Sequence, residues 1–320
     1  MKARFALGVA SAALLFVVAP QAQAGPNWPG SGEEAAKAQY DARMKALQGQ
    51  IHPQSGTVTI PAAKARLNLG DRYYFLPAAD AKRVLVEAWG NPPESADGVL
   101  GMVFPAGKSF NDATWGAVVE YEDTGHIADK DAASQDYDSV LADMKSAAEE
   151  ENEARKSAGY PESHVIGWAQ APTYDAGKKT LIWARNIQFA DSQTNTLNYD
   201  VRTLGRTGVL SLNMVDAMPN LPVVRTAAAQ LGSTVQFDSG ARYADYNAST
   251  DKLADYGLAG LVAGGAGLAV AKKVGLLGVL LVFLKKGAVI LIAGLAAAGA
   301  LFKRRFSRGS NGSGEGDYAG

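Results

Sequence analysis

The densest run of side chains able to do chemistry is Asp123-Thr124-Gly125-His126-Ile127-Ala128-Asp129-Lys130-Asp131, with Asp136 and Asp138 close behind. Carboxylate-rich runs suit hard cations such as Ca²⁺. The spacing is not that of an EF-hand loop, however, and Lys130 sits inside the cluster. Acidic residues just ahead of a helix also cap its free N–H groups and suit its dipole, and that is the plainer expectation. Arg202 and Arg206 form a second group. Their forked donors could grip an anion, although a nearby acid such as Asp200 is the commoner partner. His52, His126 and His164 are too widely spaced for a local metal or triad motif. Asp123, His126, Asp129, Asp131, Arg202 and Arg206 are therefore the candidate ligand or partner surface. No catalytic, cofactor or metal residue is assigned.

Several function classes drop out at once. The chain has no cysteine, which excludes disulfides, thiol nucleophiles and Cys-ligated zinc. No G-x-S-x-G follows a strand, and no phosphate-cradling G-x-x-x-x-G-K-[ST] occurs. Lys plus Arg total 31 against 32 Asp plus Glu, so the basic excess of a nucleic-acid binder is missing. No cofactor is implied, and nothing marks the chain as an enzyme.

The two ends speak of compartment. Lys2 and Arg4 precede the apolar run Ala6–Ala19, Pro20 breaks it, and Ala22-Gln23-Ala24 supplies a small-x-small site with cleavage before Gly25. This is the pattern of a secretory signal peptide over residues 1–24. Residues 257–302 hold no acidic residue, and Lys272-Lys273 and Lys285-Lys286 divide them into three apolar pieces. The last, Gly287–Phe302, spans about 24 Å as a helix and can reach across a bilayer when flanking lysines snorkel. Lys303, Arg304, Arg305 and Arg308 follow as a stop-transfer cluster, which the positive-inside rule places in the cytoplasm. A single span fits that rule. A two-span hairpin with Gly257–Ala271 as its first span would leave the basic tail, residues 303–320, outside.

Between these ends the hydrophobic periodicity alternates between helix and strand. Residues 25–55 read as a linker and an N-terminal helix, Glu33–Gln48. Within 56–250, helices are expected at Ala78–Trp89, Asp136–Ser157 and Pro222–Leu231. Strands are expected at Thr57–Ile60, Val99–Phe104, Trp115–Tyr121, His164–Ala169, Thr180–Phe189, Leu197–Leu204, Val209–Val215 and Val235–Phe237. The exposed side of the long helix carries Glu149, Glu150, Glu151 and Glu153, expected as a solvated face. Successive strands grouped between helices argue an α+β fold with a largely antiparallel sheet, followed by a C-terminal transmembrane helical region.

The runs Trp89-Gly90-Asn91-Pro92, Val165-Ile166-Gly167-Trp168 and Leu197-Asn198-Tyr199-Asp200-Val201-Arg202 resemble a bacterial family of membrane-anchored proteins known as a domain of unknown function (DUF 2167). So do Leu204-Gly205-Arg206-Thr207-Gly208-Val209 and Gly240-Ala241-Arg242-Tyr243-Ala244-Asp245-Tyr246. The resemblance implies a signal peptide, an extracytoplasmic domain and a C-terminal anchor, and it carries no activity or catalytic residue. The expected function is a binding or adaptor domain on the periplasmic face of the bacterial inner membrane. Its expected partners are the membrane and an envelope protein, with the oligomeric state left open. Two alternatives stand beside it: an envelope hydrolase using carboxylates near Asp129 and Asp131, and a membrane-modulating protein acting through residues 257–302.

Overall fold

Nine strands form one antiparallel sheet, assembled from two meanders. In this computed structural model, residues 33–130, 132 and 135–264 are described. The first meander runs β1 (Gln54–Ile60), β2 (Ala65–Pro77), β3 (Gly101–Pro105) and β4 (Gly116–Glu122). The chain then crosses through the long helix α3 (Tyr137–Ser157; the other helices are α1, Glu33–Gln48, and α2, Ala78–Arg83) to the far edge. It returns as β5 (Ser163–Asp175), β6 (Thr180–Phe189), β7 (Thr196–Leu204) and β8 (Val209–Ala217). β8 pairs with β4 and closes the order β1-β2-β3-β4-β8-β7-β6-β5. After α4 (Leu221–Gly232), the short β9 (Val235–Phe237) pairs with β2. The expected α+β class with a largely antiparallel sheet is what the protein adopts.

Both faces of the sheet are covered, and period-two alternation decides what each face receives. Ala117 and Val119 of β4, Leu197, Tyr199 and Val201 of β7, and Leu210, Leu212 and Met214 of β8 build the first face with Val224, Ala228 and Leu231 of α4. On the second face, Met44 and Leu47 of α1 and Ala81 of α2 pack with Leu76, Phe104, Val118 and Val215. Ala148 of α3 packs with Val165, Ile187 and Phe189 at the β5 edge. The last described helix, α5 (Leu258–Val262), buries Leu258, Leu261 and Val262 against Ile127, Leu181, Trp183, Leu204 and Val209.

Three expectations need correction. β2, the longest strand of its meander, was not anticipated: Gly70 at φ 61° and the polar Asp71-Arg72 pair interrupt an otherwise regular Ala65-Leu67-Leu69 alternation. The helix expected over Ala78–Trp89 relaxes after Arg83 into a π-turn, Val84–Ala88, in which Trp89 N–H donates to Val84 C=O at 2.9 Å. Gly90 at φ 69° then ends it. On α3 the capping expectation holds, with Asp136 just ahead of the helix as its N-cap, accepting from Ser139 N–H at 3.0 Å, but the expected solvated acidic face does not hold throughout. Glu151 is half-buried rather than solvated, and burial raises its carboxyl pKa.

The signal peptide with its Ala24–Gly25 junction, and residues 265–320 with the expected span and basic tail, lie outside the described residues. Among the described residues no helix is long and apolar enough to cross a membrane.

Candidate functional site

Two constructions on this scaffold could do more than hold the fold. The first is a pocket of about 360 Å³ at one end of the sheet. Four segments meet there: the β1–β2 connection, the exit of β4, the β7–β8 hairpin and the loop 238–251. Its polar lining is Lys64, Tyr121, Asp123, Arg206, Thr207 and Asp251. Loops carried by a rigid sheet are the usual place for ligand groups.

Arg206 is the keystone. Its Nε and Nη2 grip Asp251 at 2.7 and 2.9 Å, and Nη1 donates to Gly240 C=O at 3.1 Å. Asp251 also accepts from Asn247 N–H at 2.8 Å. The Arg206 hydrogen bonds, with that backbone donor, hold the Asp251 carboxyl far below the ordinary range. The hairpin can sit this close only because residue 208 is glycine: a Cβ there would lie 2.1 Å from Glu122 C=O. Gly125, at φ 99°, similarly lets its segment press against Lys252–Ala254. Tyr121 OH and Thr207 Oγ1 lie 3.3 Å apart on the wall. Neither Lys64 nor Asp123, both exposed, has a hydrogen bond or ion pair from its side chain among the described residues. Lys64 also holds left-handed backbone angles (φ 48°, ψ 49°), a conformation that costs a non-glycine residue about 1 kcal/mol or more.

The residues singled out from sequence therefore scatter. Asp123 and Arg206 meet at the pocket. His126 lies behind it, its ring between Tyr243 (4.3 Å) and Tyr246 (3.9 Å), with Nδ1 donating to Arg206 C=O at 3.2 Å. Burial lowers its pKa, so it is a neutral packing histidine that braces the hairpin. Asp129 sits apart, accepting from Lys179 Nζ at 2.8 Å and Tyr174 OH at 2.7 Å. Burial alone would raise its pKa, but these hydrogen bonds win and hold it at about 2. Asp131 lies outside the described residues. His52 and His164 face Asp80 and Glu149 respectively, far from each other in the fold. Among the described residues no three His, Asp or Glu side chains gather as a metal site.

Arg202 belongs to the second construction, a charged cluster at the centre of the second sheet face. Asp200, fully buried, bridges Arg185 (Nη2, 3.2 Å) and Arg202 (Nη2, 3.2 Å). Arg202 Nη1 also reaches Glu122 at 2.6 Å, and Tyr256 OH lies 3.4 Å from that carboxylate's other oxygen. The Arg202 guanidinium stands 5.5 Å from the Trp183 ring centroid. Register places Glu120 opposite Ser211, Ser211 opposite Arg202, and Asp200 opposite Asn213. All therefore share this face. The Asn198 amide, Ser211 Oγ, Asn213 Oδ1 and Arg202 Nε are buried without a hydrogen-bond partner.

Sequence reasoning missed Lys64, Tyr121, Thr207 and Asp251 at the pocket, because they come from four distant segments. It also missed Glu120, Arg185, Ser211 and Asn213 in the cluster. One signal was available: β7 alternates Leu197, Tyr199 and Val201 with Asn198, Asp200 and Arg202. That pattern reads as a solvated polar face, whereas here it is covered.

Fold and site define a two-meander α+β domain with a loop-end pocket and a buried charged cluster. The chain belongs to the family described as Protein of unknown function (DUF2167), whose model matches residues 52–296. No curated protein matches it. Among solved structures, the solution structure of cyanobacterial PsbP (CyanoP) from Synechocystis sp. PCC 6803 is a distant likeness. It has 12% identity and a TM-score of 0.34, over 59% of this chain and 92% of that one.

Proposed function

We propose that this is a membrane-anchored protein of the bacterial cell envelope whose α+β domain binds a ligand or an envelope partner on the periplasmic side. The observation that carries the binding role is the loop-end pocket. Arg206 and Asp251 fix its geometry, leaving Lys64 and Asp123 as unsatisfied opposite charges on its lining. A pocket of this size with a few convergent polar groups suits a small molecule or a protruding side chain. Export and anchoring rest on the signal-peptide pattern and on the stop-transfer cluster after Gly287–Phe302. The burial of Leu258, Leu261 and Val262 of α5 in the domain supports one span over a hairpin whose first span would begin at Gly257.

Of the two carboxylates of the hydrolase alternative, Asp129 is disfavoured as a base: tied to Lys179 and Tyr174 and with its pKa held at about 2, it is a weak proton acceptor at neutral pH. The test is mild detergent extraction of the full chain followed by native mass spectrometry. A stoichiometric bound molecule or partner is expected with the wild type and is lost in the folded Lys64→Met/Asp123→Asn variant. Recovery of the wild type as a bare monomer or homo-oligomer overturns the reading. An externally reactive tag at Gly320 in intact spheroplasts overturns the single-span topology.

A further inference from the structure

The charged cluster carries one carboxyl too many. Two arginines, Arg185 and Arg202, face Asp200 and Glu122, which engage them directly. Glu120, two residues before Glu122 on the same face of β4, accepts no hydrogen bond from a described residue. Among the described residues the cation acting on it is Arg202, already held by two carboxylates. Beside Glu120 in the ladder stands Ser211, and two residues further along β8 stands Asn213. Ser211 is 0% and Asn213 3% exposed, and Ser211 Oγ and Asn213 Oδ1 have no partner. Residues directly opposite in an antiparallel ladder lie about 5 Å apart and diagonal ones about 7 Å, so the register sets three acceptors of three types side by side on one face of β4 and β8.

We infer that Glu120, Ser211 and Asn213 form a second binding site, distinct from the loop-end pocket, for a primary ammonium group. Its positive charge answers the surplus carboxylate, and its three N–H donors match the three acceptors. Glu120 and Arg202 are partly exposed, which gives the site a mouth. The site stands independently of the pocket reading.

When the site is empty, burial pushes the Glu120 carboxyl up to about 7, with Arg202 opposing and Glu122 and Asp200 adding to the rise. The groups that act on it are Glu122 from its own strand and Asp200 and Arg202 from β7, while Arg185 of β6 and Tyr256, ahead of α5, stand beyond them on Asp200 and Glu122. Below neutral pH, binding an ammonium therefore displaces the Glu120 proton to solvent. Affinity falls about tenfold per pH unit once the carboxyl is protonated.

The test uses the full chain in detergent, titrated with ethylammonium chloride against sodium chloride of equal ionic strength. Thermal unfolding and proton release in weak buffer are read together. At pH 8 the unfolding midpoint rises with ethylammonium, and near pH 6.5 binding releases protons. Tetramethylammonium, charged but without N–H donors, has no effect. Glu120→Gln abolishes both responses, and Ser211→Ala weakens them without altering the empty protein's proton uptake near pH 7. A capped lysine that binds tighter than ethylammonium assigns the group to a polypeptide side chain, and the reverse order assigns it to a free amine. A wild type that takes up its proton near pH 7 yet ignores ethylammonium overturns the inference. The buried acceptors are then satisfied by ordered water alone.

Discussion

β7 and β8 contribute equally to the two faces of the sheet, yet alternate residues of these strands meet opposite chemistry. On one side Leu197, Tyr199, Val201, Leu210, Leu212 and Met214 pack under α4. On the other, Asn198, Asp200, Ser211 and Asn213 are just as buried, and Arg202 nearly so. Burying apolar surface stabilises by about 25 cal/mol per Å², whereas buried ion pairs roughly break even against their desolvation. The polar face is thus an arrangement that stability alone would not select. The loop-end pocket is arranged the other way: Lys64 and Asp123 on its lining are exposed, and its rigidity comes from one bidentate, partly buried pair, Arg206–Asp251.

The comparison breaks most severely at Asp200. Asp200→Ala leaves two buried arginines without their shared carboxylate and should cost about 3–5 kcal/mol in chemical unfolding. That matches or exceeds Leu212→Ala on the apolar face, where about 2–5 kcal/mol is expected. A loss under 1 kcal/mol for Asp200→Ala would mean that water enters the cluster freely.

Glu120→Gln sharpens the contrast in the other direction. The Glu120 pKa is raised from 4.5 to about 7. Its contribution to stability is therefore complete below pH 4.5 and is lost as pH rises through 7. At pH 8 the variant should be more stable than the wild type by about 3 kcal/mol, and the two should converge near pH 4. Equal stabilities at both pH values would show that Glu120 ionises without penalty.

Asp129 titrates with the opposite sign. Its pKa is lowered from 3.8 to about 2, so its contribution is present above pH 3.8 and fades as pH falls through 2. Asp129→Asn should cost about 1–2 kcal/mol at pH 7 after allowing for solvent screening of a partly exposed pair. Its effect should vanish in acid unfolding near pH 2. The smallest change is expected at the pocket rim. Lys64→Gly relieves the left-handed backbone and should raise stability by about 0.5 kcal/mol. A loss instead would show that the Lys64 side chain is held by a contact within the domain.

Much of the secondary structure was legible in the residues themselves. Glu33–Gln48, Thr180–Phe189 and Val235–Phe237 form the elements that their periodicity announces. Local sterics and side-chain alternation act over a few residues, and that information is written consecutively. β2 escaped because Gly70 and a register shift near Gly56 break its period at the bulge. Of the candidate surface, Arg206 and Asp123 were brought into one pocket. Arg202, Asp129 and His126 each found separate partners.

The sequence by itself determined the alternation of β7 and β8, the balanced charge and the glycine at 208 that lets the hairpin close. It also carried the runs that mark the family. Tertiary structure alone decided that the polar side of that alternation is covered rather than solvated, since α1 and α2, α3 and α5 converge on it from separate parts of the chain. It alone also decided which acids neutralise which arginines, and so left Glu120 to share Arg202 with Asp200 and Glu122. Burial and charge balance are sums over neighbours distant in sequence, and no local pattern holds them.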